Sequence, residues 1–235
     1  FIKATEGGDR VDEMFASHWR GAARAGVRRG AYHFFYHCRA PEEQAAWFFR
    51  HVPRRSGDLP PVIDMEWTPT SPTCTIRRPA EEIRADARVL IRLFTEHYGT
   101  APILYTTVDF YQENHLWHLD GVDFWLRSVA AHPSDIYVGQ HWKFWQYSST
   151  GRVPGIAEET DLNVFDGTPA QWAAFARKYR SEMGQADASR SLDLLRLLQE
   201  ALTNVFKHSR AQRVDVYLRR QGDQLQLHID DDGVG

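Results

Sequence analysis

The feature that most constrains the fold is a regular alternation of short β-rich runs with amphipathic helical runs. The end of a strand running into a glycine turn is predicted at 1–8, further strands at 30–36, 62–67 and 102–107, and helices at 14–26, 41–52, 79–98 and 108–115. Three further strands, separated by loops too short for full helices, are predicted at 123–128, 143–147 and 160–165. Because strand-helix repeats build parallel sheets covered by helices, the pattern predicts an α/β fold, and the number of units favours a closed barrel over an open sheet.

The predicted strand at 62–67 ends in two carboxylates, Asp64 and Glu66, separated by one residue. Residues two apart on a strand point to the same face, so one strand would bring both acids to one place. Taken alone, the pair is explained equally well by an ordinary strand with an acidic end. In barrels of this class the chemistry lies at the C-terminal strand ends, where further polar side chains are predicted. These are Glu6, Tyr105, Gln146 and Asp161.

Composition excludes some function classes. The formal net charge of -3 over 235 residues gives no basic surface of the kind that binds nucleic acid. No apolar run approaches the length of a membrane span. Aromatic residues make up 13% of the chain, which suits a site that stacks sugar rings, although most of them are expected in the core. His33 and His37 are expected on a pocket wall or at the surface.

The two cysteines, Cys38 and Cys74, each follow a predicted strand. If those strands are parallel neighbours, the two thiols lie near the same end of the sheet, and a disulfide is compatible with an exported protein. Two free buried thiols are an equal alternative. A bridge requires a Cα separation within about 7 Å.

Seven motifs follow one another in order within residues 1–178: IKATEG (2–7), GAYHFF (30–35), VIDME (62–66), ILYT (103–106), FWL (124–126), FWQYS (144–148) and DLNVF (161–165). In this order they resemble the glycoside hydrolase family 25 lysozymes. The resemblance implies a modified TIM-type barrel of five β/α units followed by three strands, and an N-acetylmuramidase that cleaves the β-1,4 bond of peptidoglycan. It implies peptidoglycan as the partner, no metal or organic cofactor for the hydrolase, and an extracellular or periplasmic location.

The resemblance also implies roles for individual residues. Glu66 matches the catalytic acid and Asp64 its acidic companion. Positions that line the sugar pocket are matched by Tyr32, Tyr105, Gln146 and Asp161. An ionised Asp64 in a partly dry pocket would raise the pKa of Glu66, so that Glu66 holds the proton that it must donate. We expect a retaining, substrate-assisted reaction.

The sequence departs from the family pattern at its start. Family members begin with a strand carrying another aspartate in an Asp-x-Ser pattern, and these 235 residues begin after it, at Phe1. The expected fold is therefore an N-terminally truncated barrel with an exposed sheet edge. We expect weak or absent hydrolysis and lowered stability as consequences.

The rest of the chain follows a different plan. With a hydrolase-like barrel assigned to 1–180, residues 181–190 are small and polar and predict a linker. Residues 191–235 predict an amphipathic helix carrying Glu200 and Asn204, followed by two strands and a glycine-containing end. Taken alone, these are a helix and a hairpin with an Asp-Gly turn.

In order and spacing, the motifs of 191–235 resemble the start of a sensor histidine kinase ATP-binding domain of the α+β class. The resemblance implies that Asn204, near Glu200, would hold Mg²⁺, that Asp231 would accept a hydrogen bond from adenine, and that Gly233 and Gly235 would let the backbone approach the nucleotide. The ATP lid and second glycine motif are absent from the sequence. We therefore expect no kinase activity and little affinity for Mg-ATP, and a segment of this kind would be cytoplasmic.

Three interpretations of the whole chain stay open at this point. It is a peptidoglycan-cleaving enzyme, or a non-catalytic peptidoglycan-binding or signalling module fused to an ATP-binding segment, or a joining of two unrelated coding segments. The Asp64 and Glu66 pair favours the first. The different compartments of the two halves favour the third.

Overall fold

The computed structural model describes residues 1–54 and 58–177, together with the backbone of two strands between 214 and 231. The chain divides into two compact units, Phe1–Met183 and Gly184–Gly235. The predicted linker at 181–190 lies outside the described residues.

Eight strands lie in the described residues of the first unit. They are β1 Ile2–Glu6, β2 Arg10–Val11, β3 Ala31–Phe34, β4 Val62–Met65, β5 Ile103–Thr106, β6 Asp123–Arg127, β7 Phe144–Gly151 and β8 Thr160–Phe165. Six of them lie at or within one or two residues of the predicted runs, and β7 continues four residues beyond its predicted end. The short β2 was not predicted, because two residues carry too little periodicity to be recognised.

The described helices of this unit lie between the strands, except the last, which follows β8. They are α1 Phe15–Arg24, α2 Pro41–His51, α3 Ala80–Tyr98, α4 Val108–Glu113, a 3-10 turn Leu116–His118, α5 Pro133–Ile136 and α6, which begins at residue 169. Local chemistry sets several of their ends. Proline stands at the first position of α2, where its missing N–H costs nothing, and α3 is closed by Gly99 in the left-handed conformation at φ 73°.

The strands form one sheet in the order β2-β1-β3-β4-β5-β6-β7-β8. Pairing is parallel from β1 to β7, whereas β2 and β8 are antiparallel to their neighbours. This agrees with the predicted parallel sheet with helices between its strands. The antiparallel β8 follows from its short connection to β7, which is too short for a crossover helix.

The predicted closed barrel is wrong for the described residues, because β2 and β8 are the two ends of the sheet and do not pair with each other. The number of strand-helix units favoured a closed barrel, but the outer edge of β1 pairs with only the two residues of β2. The exposed edge expected from the resemblance is present. The sheet is nevertheless strongly curved. The Phe1 ring, next to β1, lies 5.1 Å from that of Trp125 on β6 and 5.4 Å from that of Phe144 on β7.

Two apolar clusters hold the unit together. The larger lies between the sheet and its helices and includes Phe48, Ile63, Leu90 and Phe94. The smaller lies on the other face of the sheet, where Val62, Ile103 and Phe144 pack with the partly buried rings of Phe1, of four strands and of α6. That other face is called the inner face below. Its apolar end closes the floor beneath the polar side chains further along each strand.

A disulfide joins Cys38 to Cys74, with 5.7 Å between the two Cα atoms. The prediction that a bridge is geometrically possible is confirmed, and the alternative of two free thiols is wrong. The bond links the segment after β3 to the segment after β4. These two segments flank the Asp64 and Glu66 strand end.

In the second unit, Val214–Gln221 (β9) and Gln224–Asp231 (β10) form an antiparallel hairpin. The two strands predicted in this segment are therefore confirmed. The predicted helix, with Glu200 and Asn204, lies outside the described residues, as do Gly233 and Gly235. Asp231 is the last residue of β10. In the part of the chain that is described, no helix has the length and apolar character needed to cross a membrane.

Candidate active site

A cavity of about 520 Å³ lies on the inner face of the sheet. Its polar side chains come from the first, fourth, seventh and eighth strands and the residue after β4; they are Lys3, Asp64, Glu66, Gln146, Thr160, Asp161 and Asn163. Its rings are those of Phe1, Tyr32, Phe34, Tyr105 and Trp125. A polar cavity walled by aromatic rings is suited to a sugar, which presents hydroxyls at its edge and C–H groups on its faces.

Strand register explains why residues so far apart in sequence meet here. Asp64 pairs with Phe34 on one side and with Tyr105 on the other, and Tyr105 pairs with Trp125. Parallel neighbours in register point to the same face, so one row of side chains crosses four strands. Val62, Asp64 and Glu66 all line the cavity, which confirms that the two acids project together.

All six residues predicted for the hydrolase site line this one cavity; they are Tyr32, Asp64, Glu66, Tyr105, Gln146 and Asp161. Tyr105 donates its hydroxyl hydrogen to Oε1 of Gln146 at 2.7 Å, which links β5 to β7 across β6. Burial, followed by the charges of Asp64 and others, raises the pKa of Tyr105 and of Tyr32 above the ordinary tyrosine value. Both phenols therefore remain neutral hydrogen-bond donors.

Asp64 is the most deeply buried acid of the cavity. It is 9% exposed, and its Oδ1 has no hydrogen-bond partner among the described residues. Burial raises the pKa of Asp64 well above that of an ordinary aspartate, the charge of Glu66 raises it further, and Lys3 opposes the rise. The carboxylate form of Asp64 is thus destabilised twice, by lost water and by a like charge.

Glu66 is half-buried and lies directly after the last residue of β4. Burial raises its pKa; Arg127 opposes that rise, and Asp109 and Asp161 reinforce it. Two buried carboxyls that repel each other titrate as a pair, so the pair keeps one proton where isolated carboxyls are ionised. The prediction that Asp64 is ionised and Glu66 protonated stays a prediction. Asp64 is the more buried of the two, and burial by itself favours the proton on Asp64.

Sequence reasoning missed a polar link at the far side of the cavity. The indole Nε1 of Trp125 donates to Oδ1 of Asn163 at 2.9 Å, which joins β6 to β8. Asn163 lies two residues after Asp161 on the same strand, and this spacing is the signal that could have placed it beside Asp161. Lys3 was also missed as a member of the cavity, although it lies three residues before Glu6.

Glu6 was predicted near the site and has another role. Lys3 donates to its Oε2 at 2.6 Å and Tyr36 donates to its Oε1. Burial acts to raise the pKa of Glu6, but the hydrogen bonds from Lys3 and Tyr36 outweigh it and the pKa is lowered. Glu6 is therefore an ionised anchor for Lys3, and the side chain that reaches the cavity is that of Lys3.

The expectation that His33 and His37 lie on a pocket wall or at the surface is wrong. Their exposed fractions are 0% and 1%. His33 lies within hydrogen-bond distance of Thr5 Oγ1, at 2.7 Å, and of Gln44 Oε1, at 3.2 Å. Burial lowers the pKa of both histidines to about 4, so both are neutral rings of the interior.

A larger groove, of about 730 Å³, lies along α1. It is lined mainly by apolar and arginine side chains, including Phe15, Trp19 and Arg20. None of its described lining residues is a buried carboxylate, and none was predicted for the site. The chemistry therefore belongs to the smaller cavity. In residues 1–54 and 58–177, no three histidine, cysteine or acidic side chains converge as a metal ion would require.

Comparison with known proteins places the first unit in a family context. The model of the family described as "Glycosyl hydrolases family 25" matches residues 1–156. The protein YegX of Escherichia coli K12, described as uncharacterized, is 33% identical over 175 residues, which is 74% of this chain and 61% of that protein. Lysozyme M1 of Streptomyces globisporus is 31% identical, covering 75% of this chain and 62% of the enzyme. The chain thus spans about three fifths of these relatives.

A solved structure of a member of the same family also matches the chain. The structure of a family 25 glycosyl hydrolase from Bacillus anthracis superposes with a TM-score of 0.66 at 36% identity, covering 75% of this chain and 81% of that one. A separate, local match of 42 residues at 50% identity is to the sensor histidine kinase LiaS of Bacillus subtilis, and covers 18% of this chain and 12% of that protein.

Proposed function

The chain belongs to glycosyl hydrolases family 25, and from this membership we propose that it hydrolyses the β-1,4 glycosidic bonds of peptidoglycan as a lysozyme. The observation that carries the proposal is the pair of a buried Asp64 and a half-buried Glu66, two carboxyls with raised pKa values on one face of one strand end. Glycoside hydrolysis requires a carboxyl that still holds its proton near neutral pH. The name of the relative lysozyme M1 supports the substrate class.

Glu66 is proposed as the general acid. It is the less buried member of the pair and lines the cavity, so its proton can reach the oxygen of a bound glycosidic bond. Protonating that oxygen turns an alkoxide leaving group into an alcohol, which lowers the barrier to C–O cleavage. After cleavage the same group, now ionised, accepts a proton from the water that attacks the sugar.

Asp64 is proposed to orient the substrate's N-acetyl group. In this reaction the acetamido oxygen attacks the anomeric carbon as Glu66 protonates the leaving oxygen, and water then opens the cyclic intermediate with retention. An Asp64 carboxylate would accept the acetamido N–H and stabilise the positive charge that develops on the ring. An inverted anomeric product, observed by NMR in the first turnovers, would contradict this route.

The other cavity residues are proposed to hold the sugar. Tyr105, fixed by Gln146, keeps one face of the cavity rigid, and Tyr32 offers a second neutral phenol. Trp125, fixed by Asn163, presents an indole for stacking on a sugar ring. No metal or organic cofactor enters this proposal.

Activity is tested by loss of turbidity of purified bacterial cell walls. Wild type should clear the suspension slowly, because the open sheet edge is expected to weaken hydrolysis, and Glu66→Gln should reduce that rate by about 10²- to 10⁴-fold, the usual contribution of a general acid. Glu96→Gln is a matched control, because Glu96 lies on α3 with a side chain that is 60% exposed and forms an ion pair with Arg92 on the same helix. This control should clear walls at the wild-type rate.

Co-sedimentation with the same walls separates catalysis from binding. Glu66→Gln should still sediment with the walls, because the change alters one atom of a side chain within a larger cavity. A wild-type protein that sediments with walls but never clears them would instead favour a peptidoglycan-binding module.

For residues 191–235 we propose only an ATP-binding-like segment, supported by the local match to a sensor histidine kinase over 42 residues. We expect little affinity for Mg-ATP and no kinase activity, and calorimetry showing a micromolar dissociation constant would contradict this. The proposed substrate of the first unit places its action outside the cytoplasm.

A further inference from the structure

His37 lies in the segment between β3 and α2, directly behind the end of β4. Its Nε2 is 3.1 Å from the main-chain carbonyl oxygen of Glu66. A carbonyl oxygen can only accept, so the imidazole must carry its hydrogen on Nε2 and donate it. The ring therefore contacts the backbone of the proposed catalytic acid from the side opposite to the cavity, which it does not line.

This hydrogen bond extends the pairing of β3 with β4 by one step, with a side chain as the donor in place of the main chain. The main-chain N–H of Phe35 donates to the carbonyl oxygen of Asp64 at 3.0 Å. In a parallel ladder the next donor on that strand would be the N–H of residue 37 and the next acceptor the carbonyl of Glu66. The chain has left the strand at that point, and the side chain of His37 supplies the missing donor. Glu66 is thereby held in line with Asp64 although β4 ends at Met65.

The imidazole is kept in one tautomer and without charge. Burial is the main reason that its pKa is lowered to about 4. Its Nδ1 has no hydrogen-bond partner among the described residues, so a second proton there would be a buried donor without an acceptor. His37 is thus a fixed donor to Glu66 throughout the neutral range.

Aromatic contacts fix the orientation of the ring. Phe110 stacks on His37 with centroids 5.1 Å apart and planes at 22°, and Trp67 packs edge-on at 5.4 Å. Trp67, the residue after Glu66, is itself held, since its Nε1 donates to Glu113 at 2.9 Å and Arg77 lies 4.8 Å from its ring. The residues on both sides of the hydrogen bond are therefore restrained.

The disulfide restrains the same two segments covalently. Cys38 follows His37 directly, and its partner Cys74 lies in the segment that follows Glu66 and Trp67. The bond limits how far the donor segment can separate from the acceptor segment. A hydrogen bond within such a restrained pair loses little conformational entropy when it forms.

We propose that His37 is a positioning residue that holds the Glu66 backbone, and with it the carboxyl, in the geometry that the reaction requires. The expected effect on the reaction rests on the proposed function, whereas the expected effect on the position of Glu66 does not. Misplacement of a catalytic group by about 1 Å can cost as much as about 100-fold in rate. Loss of the donor should therefore lower the rate constant of the chemical step and leave substrate binding by the rest of the cavity in place.

Two substitutions separate the donor from the ring. His37→Phe keeps an aromatic ring against Phe110 and removes the donor; His37→Gln keeps an N–H at nearly the position of Nε2 and removes the ring. On soluble peptidoglycan fragments, His37→Phe should lower kcat about 10-fold or more with KM within about twofold of wild type. His37→Gln should retain kcat within about threefold. Equal losses in both variants, with both folded by circular dichroism, would overturn the proposal.

A second readout does not depend on activity. The carboxyl ¹³C signals of Asp64 and Glu66 are followed against pH in wild type and in both variants. The titration of the pair should move toward ordinary carboxyl values in His37→Phe and stay near wild type in His37→Gln, because only the former frees Glu66 to move away from Asp64. Unchanged titration in His37→Phe would overturn the proposal, even if wild type proved inactive on cell walls and the proposed function failed.

Discussion

Removing the disulfide should destabilise the first unit by an amount that depends on the length of the loop between Cys38 and Cys74. The bond closes a sequence separation of 36 residues. The chain-entropy relation for a loop of this length gives a loss of about 4 kcal/mol at 25 °C. The perturbation is the double variant Cys38→Ala, Cys74→Ala. Alanine is chosen because Cys74 is 2% exposed, and a serine hydroxyl there would be buried.

The assay is urea unfolding followed by tryptophan fluorescence, with a thermal melt as a second probe. A loss of about 4 kcal/mol corresponds to a Tm lower by about 8–15 °C for a unit of this size. Reductant supplies the matched control, because it should destabilise wild type toward the double variant and leave the double variant unchanged. A double variant within about 1 kcal/mol of wild type, or one that still responds to reductant, would show that the disulfide does not stabilise the unit by closing this loop.

Two further predictions concern the cavity. Asp64→Asn should lower cell-wall hydrolysis by about 10²-fold or more and yet stabilise the fold at neutral pH. The pKa of Asp64 is raised in the folded state, so wild type loses stability as the pH rises above about 4, the ordinary aspartate value. The variant cannot ionise at this position. In urea unfolding, its free energy of unfolding should therefore exceed that of wild type by an amount that grows from pH 4 to 7 and vanishes at pH 3. Tyr105→Phe removes the hydroxyl that donates to Gln146 and should raise KM about fivefold, the equivalent of about 1 kcal/mol, with kcat nearly unchanged, in steady-state kinetics on soluble fragments.

Much of the site could be predicted because it depends on local periodicity. Asp64 and Glu66 share a face since residues two apart on a strand must do so, and the positions of Tyr105 and Gln146 follow once parallel neighbouring strands are assumed. The disulfide could be predicted as possible for the same reason, because Cys38 and Cys74 follow neighbouring strands.

Other features depend on tertiary register, which no local pattern encodes. The link from Trp125 to Asn163 requires knowing how the antiparallel β8 aligns with β7, including its two irregularities of register. Closure of the sheet depends on what pairs with β1, and the two residues of β2 were too few to be recognised. The contact of His37 with Glu66 depends on a side chain taking the place of a backbone donor, which sequence periodicity cannot show.

The chemical identity of the new reducing ends shows directly which glycosidic bond is cut and whether Glu66 is needed to cut it. Cell walls are digested with wild type or Glu66→Gln, and the soluble fragments are reduced with borohydride and analysed by mass spectrometry. If the chain is an N-acetylmuramidase with Glu66 as its acid, wild type should give reduced N-acetylmuramic acid at the new ends and Glu66→Gln none above background. Reduced N-acetylglucosamine at the new ends, or equal release by the variant, would contradict this assignment.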